Sequence, residues 1–128
     1  MDEPKVLFVD DDPNLLRAYS KICSSKPYKA ITCSDPFAAL ELVSSLDDLA
    51  IVFSDYNMPR MNGETFLKKV REIRPDSSRI LMSSYSLNDI TEDRELVHYA
   101  LQKPVEAPVL IQVTNDFVAE YNRKKSGT

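Results

Sequence analysis

The sequence predicts a three-layer α/β fold: a five-stranded parallel sheet, doubly wound, with five helices divided between its faces. Three observations predict it. Five short apolar, β-favouring runs recur at fairly even intervals, as strands buried on both faces do. Segments with helical apolar spacing lie between the runs. Residues able to do chemistry stand just past several of the runs, at the carboxyl edge where sheets of this kind bind ligands.

Val6 to Val9 is the first run, and Asp12-Pro13 after it supplies a capping acceptor and a first-turn proline, a helix start. Leu15, Leu16, Tyr19, Ile22 and Cys23 share one face of that helix. Ala30 to Thr32 is the second strand, and Ser34-Asp35-Pro36 opens a second helix whose apolar face is read as Phe37, Leu40 and Val43. Ile51 to Phe53 is the third strand. Phe66, Leu67, Val70 and Ile73 define the third helix, which Arg74-Pro75 closes. Ile80 to Met82 is the fourth strand. The stretch from Leu87 to Val97 is charged and weakly amphipathic, so it is the least regular helix and is expected to be the mobile one. Tyr99 to Leu101 is the fifth strand, and Leu110, Val113, Phe117 and Tyr121 mark the last helix. The domain is assigned to residues 1–121. Residues 122–128, basic and then small and polar, are assigned to a flexible tail or the stub of a linker.

The 128 residues suit one domain with one sizeable core, and 43% hydrophobic against 28% charged residues is too apolar for a disordered tail. Sixteen Lys and Arg against 20 Asp and Glu leave a net charge of −4, with the basic residues spread along the chain. Direct binding of nucleic acid is therefore not expected. Cys23 and Cys33 lack a CxxC or Cys/His companion set and read as reduced core thiols. The start, MDEPKVLFVDDD, has no basic segment followed by an apolar one, and no window approaches the ~18 apolar residues of a membrane span. No membrane association and a cytoplasmic location are expected. The only glycines are Gly63 and Gly127, so a glycine-rich phosphate loop or dinucleotide fingerprint cannot be built.

Asp10, Asp11 and Asp12 follow the first run, Asp55 the third, Ser83 and Ser84 end the fourth, and Lys103 ends the fifth. In a doubly wound sheet these strands can be neighbours, which brings the groups toward one pocket. Clustered carboxylates repel unless a cation neutralises them, and an all-oxygen set with few protein ligands suits Mg2+. Each group also has a plain structural reading. Asp12 before Pro13 reads as a helix cap, Asp55 could be a turn residue, Lys103 a solvated loop lysine and Ser83 a capping hydroxyl. Their joint placement at strand ends favours function. His98 reads as a structural or edge residue, and Met58 and Met61 as packing anchors. Lys68, Lys69, Arg71 and Arg74 read as a solvated helix face.

Val9-Asp10-Asp11-Asp12-Pro13, then Asp55-Tyr56-Asn57-Met58-Pro59-Arg60-Met61-Asn62-Gly63, then Ser83-Ser84-Tyr85, then Lys103-Pro104 together resemble the receiver domain of two-component response regulators. The resemblance runs from about residue 5 to 120, and the D-x-x-M-P-x-M-x-G stretch is its most specific part. It implies a flavodoxin-like sheet with strand order 2-1-3-4-5. It further implies that Asp55 is the phosphoryl acceptor, taking the group from a phosphohistidine on a sensor histidine kinase or phosphotransfer protein. Asp11 and Asp55 would contact Mg2+ directly, with Asp10 helping through water and the backbone carbonyl of Asn57 as a further ligand. Ser83 would donate its hydroxyl to a phosphoryl oxygen, and Lys103 would pair with the phosphoryl group or the Asp55 carboxylate. Such a domain catalyses only its own phosphorylation and slow autodephosphorylation. Its implied partners are a C-terminal output domain or a downstream protein, and pairing into a homodimer on activation is within the family's range.

The sequence departs from the family pattern in three places. Ser83 and Lys103 are 20 residues apart, slightly short for the family, so the fourth helix or its loop is expected to be trimmed. Ala100 stands where an aromatic that reorients on activation is usual, and Tyr99 beside it points to the other face. Ser84 replaces a smaller residue. Two other functions compete. A haloacid-dehalogenase-type phosphatase would need a D-x-D-x-T/V pattern after the first strand, which is absent. A phosphorylation-independent, degenerate receiver acting as a protein-binding module usually lacks the acceptor or the acid pair, and both are present here.

Overall fold

The computed structural model describes residues 3–127. Its elements run β1 (Lys5–Val9), α1 (Pro13–Cys23), β2 (Lys29–Cys33), α2 (Pro36–Ser45), β3 (Leu49–Asp55), α3 (Gly63–Ile73), β4 (Ser78–Ser83), α4 (Leu87–Ile90), β5 (Tyr99–Gln102) and α5 (Ala107–Lys125). The strands form one sheet in the order β2-β1-β3-β4-β5, every pair parallel. The flavodoxin-like topology expected from the sequence is the one found.

Alternation along the strands divides the core in two. Val6 and Phe8, Ile51 and Phe53, and Ile80 and Met82 face α1 and α5, where Leu16, Tyr19, Leu110, Val113 and Val118 close over them. Phe8 stacks between Tyr19 and Phe53, with ring centroids 5.1 and 4.4 Å away. Leu7, Val9, Val52 and Leu81 face α2 and α3, against Ala39, Val43, Phe66, Leu67 and Val70. All seven residues of β3 are buried, as the central strand of a doubly covered sheet requires.

The predicted helix starts hold at the atomic level. Asp12 accepts from the backbone amides of Asn14 and Leu15, Asp35 from those of Phe37 and Ala38, and each precedes a proline at the start of its helix. In α2 the buried positions are Pro36, Ala39 and Val43. Phe37, expected on the buried face, is 45% exposed, because the small Ala39 is the residue that lies flat against the sheet and the aromatic falls on the flank. Ile73, at the last turn of α3, is likewise exposed.

The fourth helix is trimmed further than expected: α4 is the single turn Leu87–Ile90, and Thr91 to His98 is irregular. The last helix runs past residue 121. Helix α5 continues to Lys125, and there Tyr121 donates to the Asp48 carboxylate and Lys125 pairs with the same group. Asp48, at φ 56°, thereby fastens the end of α5 beneath the sheet.

Candidate functional site

The carboxyl ends of β1, β3, β4 and β5 adjoin because β1, β3, β4 and β5 are consecutive in the sheet. Asp10 and Asp55 end up buried there, 1% and 7% exposed, while Asp11 beside them faces solvent. Carboxylate oxygens of Asp10, Asp11 and Asp55 all lie within 4.8 Å of one another. Lys103, delivered by the loop after β5, sets its Nζ 2.9 Å from Asp10 Oδ2 and 3.1 Å from Asp55 Oδ1. Four residues from three segments far apart in sequence thus form one charged cluster.

Hydrogen bonds divide the labour within it. Asp10 Oδ1 accepts the Asp12 amide at 3.0 Å and its Oδ2 accepts Lys103, so both of its oxygens already have partners. Asp55 keeps one carboxylate oxygen beyond the lysine, and Asp11 has no protein partner of its own among the described residues. Three carboxylates against one ammonium leave two negative charges in a recess lined by oxygen donors. That donor set fits a hard divalent cation such as Mg2+. Asp12, engaged as the α1 cap, stays outside the cluster.

Electrostatics follow from burial. Burial pushes the Asp55 carboxyl above its ordinary value, Asp10 and Asp11 push it the same way, and the Lys103 ammonium opposes them. Burial alone would lower the Lys103 ammonium, yet the bonds to Asp10 and Asp55 outweigh it and hold the value above that of a free lysine. The Tyr19 hydroxyl beneath the site is pushed up to about 12, by burial first.

Ser83, 5% exposed at the end of β4, accepts the Tyr85 amide on its Oγ at 2.9 Å. Accepting leaves the hydroxyl proton free to be donated elsewhere. Asn57 lies exposed on the loop after β3, with Met58 and Met61 buried to either side of the turn. Gly63 brings that loop back. A Cβ on Gly63 would sit 2.5 Å from the Asp55 carbonyl oxygen and 2.9 Å from the Tyr56 Cα, so only glycine permits α3 to start there.

Two contacts were not foreseen from the sequence. Arg60, at φ 71°, pairs with Asp35 at 2.7 Å and lies 4.6 Å over the Phe37 ring, clasping the loop after β3 to the start of α2. Tyr56 and Tyr85 meet edge to face at 5.9 Å. Neither pair has a spacing signal, since each joins loops brought together only by the sheet.

The family model for the response regulator receiver domain matches residues 6–115. The chain belongs to the response regulator receiver family. The receiver's relatives include the sensor histidine kinase TmoS of Ectopseudomonas mendocina, 42% identical over 72 residues, which are 56% of this chain and 7% of that protein. The transcriptional regulatory protein GlrR of Escherichia coli K12 is 26% identical over 113 residues, 87% of this chain and 25% of that protein. This receiver therefore spans a minor part of the length of these relatives. A CheY-like receiver domain protein from Methanospirillum hungatei JF-1 superposes with a TM-score of 0.87 at 21% identity, over 96% of this chain and 99% of that one, and shares the fold. Receivers generally hold Mg2+ at an acidic pocket, and Asp10, Asp11 and Asp55 form an acidic cluster here.

Proposed function

We propose that this receiver takes a phosphoryl group onto Asp55 from a phosphohistidine, in a Mg2+-dependent reaction, and that the change alters its contacts with an output domain or a downstream protein. The observation that carries the reading is Lys103 Nζ lying between the buried carboxylates of Asp10 and Asp55. A carboxylate held against an ammonium, with an acidic recess beside it, is the equipment that phosphoryl transfer needs: a positioned nucleophile and cationic partners for the equatorial oxygens.

The chemistry balances without another reactant. An Asp55 carboxylate oxygen attacks phosphorus, the phosphorus–nitrogen bond breaks, and its electron pair returns to the imidazole of the donor. The product is an acyl phosphate, and water attack on its phosphorus restores the carboxylate. Lys103 opposes the pull of burial on the Asp55 carboxyl and is placed to pair with the arriving phosphoryl group. Ser83 has a hydroxyl proton to offer one of its oxygens. Asp11 and Asp55, with the Asn57 backbone carbonyl and with Asp10 through water, would hold Mg2+, which supplies charge neutralisation when bound. The donor would be a sensor histidine kinase or a phosphotransfer protein, and the setting the cytoplasm. Among the described residues no helix is long and apolar enough to cross a membrane.

Intact-mass spectrometry after incubation with Mg2+ and acetyl phosphate tests the reading. One added phosphoryl group that requires both Mg2+ and Asp55, and is missing in Asp55→Asn, is expected. If neither an adduct nor Mg2+-dependent beryllofluoride binding is seen, phosphotransfer is ruled out and a phosphorylation-independent binding module replaces it.

A further inference from the structure

Asn57, whose carbonyl is assigned to Mg2+ in the reading above, lies on the loop between β3 and α3, which has no regular structure. The ends of that loop are tied by hydrogen bonds. The Tyr56 amide donates to the Met82 carbonyl at 3.1 Å, the Gly63 amide to the Tyr56 carbonyl at 2.8 Å, and Asn62 caps α3 by accepting the Thr65 amide at 2.9 Å. Between the ends, Met58 and Met61 pack into the core on the α3 side. Apolar packing is non-directional. Mg2+ demands near-octahedral geometry, so a carbonyl ligand has to be aimed as well as brought near.

Arg60 supplies a directional contact in the middle of the loop. Its backbone stands at φ 71°, a left-handed conformation that is costly for any residue with a side chain and persists only where the surroundings over-determine it. Its Nη2 donates to Asp35 Oδ1 at 2.7 Å, and its guanidinium carbon lies 4.6 Å from the Phe37 ring centroid. The acceptor is itself held in place. Asp35 Oδ1 takes the Phe37 amide at 3.4 Å and Oδ2 the Ala38 amide at 3.2 Å. A planar guanidinium can pair with a carboxylate and lie over a ring at once, which a lysine ammonium does less well. Both partners of the ion pair are largely exposed, so the pair adds little to global stability. Its effect falls on the loop, which has few other directional ties.

We propose that Arg60 is a positioning residue for the metal: clasped to the first turn of α2, it holds the left-handed turn at residue 60 and so fixes the backbone at Asn57, three residues upstream. The positioning role rests on the Mg2+ half of the proposed function, whereas the clasp does not. Its sign separates it from plain electrostatics. By Coulomb's law, removing a cation from this end of the molecule should tighten Mg2+ binding at Asp10, Asp11 and Asp55. Loss of the clasp should weaken it.

Mg2+ titration of the full chain, followed by amide NMR with melting temperatures measured alongside, tests the role. In Arg60→Ala the Mg2+ dissociation constant should rise about fivefold. Its melting temperature should stay within about 4 °C of wild type. Asp35→Asn keeps the α2 cap and loses the charge; it should weaken Mg2+ by a similar factor, and it serves should Arg60→Ala fail to fold. The double variant should bind no more weakly than either single one, as partners in one contact require. Without metal, the backbone order parameters at Asn57, Met58 and Met61 should fall in both variants from the rigid value of about 0.85 toward about 0.6. Unchanged or tighter Mg2+ binding in Arg60→Ala, or losses that add in the double variant, overturns the positioning role. Unchanged order parameters in both variants overturn the clasp. A wild-type chain without Mg2+-dependent shifts at Asp10, Asp11 and Asp55 overturns the metal reading and the positioning role together, and the order parameters then decide the clasp alone. A chain that binds Mg2+ but takes no phosphoryl group overturns phosphotransfer and leaves the role of Arg60 standing.

Discussion

Asp55 shows at the scale of one residue how a buried carboxylate costs the fold stability. Its carboxyl sits above the ordinary value because it is buried beside two other acids, so its ionisation opposes folding at neutral pH. The penalty is absent below the unfolded carboxylate range, about pH 4, and grows as pH rises through the folded value. Asp55→Asn should therefore melt higher than wild type at pH 7, by about 2 °C or more, and the gap should close on acidification; calorimetry across pH 4 to 8 reads it. Lys103 has the opposite role. Lys103→Met strands the buried Asp10 and Asp55 without a cation, with an expected loss of about 3–5 kcal/mol in denaturant unfolding at pH 7. Mg2+ should restore part of that loss, since a ligand at ten times its dissociation constant adds about 1.4 kcal/mol. A variant as stable as wild type would show that the ammonium does not hold the cluster together.

At the scale of elements, the site depends on where helices begin. Asp12 leaves the acidic cluster because the α1 amides take its carboxylate, and Asp12→Ala should cost about 1 kcal/mol without weakening Mg2+ binding, as measured by parallel unfolding and metal titrations. A Cβ on Gly63, at the start of α3, would sit 2.5 Å from the Asp55 carbonyl oxygen. Gly63→Ala forces that backbone aside, so a destabilisation of about 1–3 kcal/mol should come with weakened Mg2+ affinity. A stable variant with unchanged affinity would show the contact to be slack. The irregular segment from Thr91 to His98 is the same lesson reversed. Where a helix is missing, the buried Arg79 of β4 donates to the Leu96 and Glu95 carbonyls, bonds that a helix would have made internally.

For the whole molecule, the two cores and the length of α5 decide what is dispensable. Residues past 121 add exposed cations paired with Glu120 and Asp48, and exposed pairs of this kind add little to stability. A chain ending at Tyr121 should fold with almost the wild-type melting temperature. A chain ending at residue 115, where the family match stops, loses Phe117, Val118 and Tyr121 from the core over β1 and β3 and should fail to give a cooperative transition by circular dichroism. Equal melting of both truncations would place the end of the domain earlier than the packing does.

The sequence by itself determined the alternation of elements, their caps and the set of residues at the carboxyl edge. Those signals are local: Asp12-Pro13 and Asp35-Pro36 announce helices through their own backbone amides, and apolar runs announce buried strands through burial alone. Asp10, Asp11, Asp55, Ser83 and Lys103 were legible because each follows a run, and a parallel sheet collects strand ends at one edge. The trimmed fourth helix was legible as a short interval between Ser83 and Lys103, but what replaces it was not. Which oxygen of Asp10 meets Lys103, why Phe37 lies outside under Arg60, and how Arg79 fastens Glu95 and Leu96 were decided only by the tertiary structure. Each depends on atoms from segments distant in sequence meeting at hydrogen-bond range, and no periodicity or local propensity encodes such a meeting.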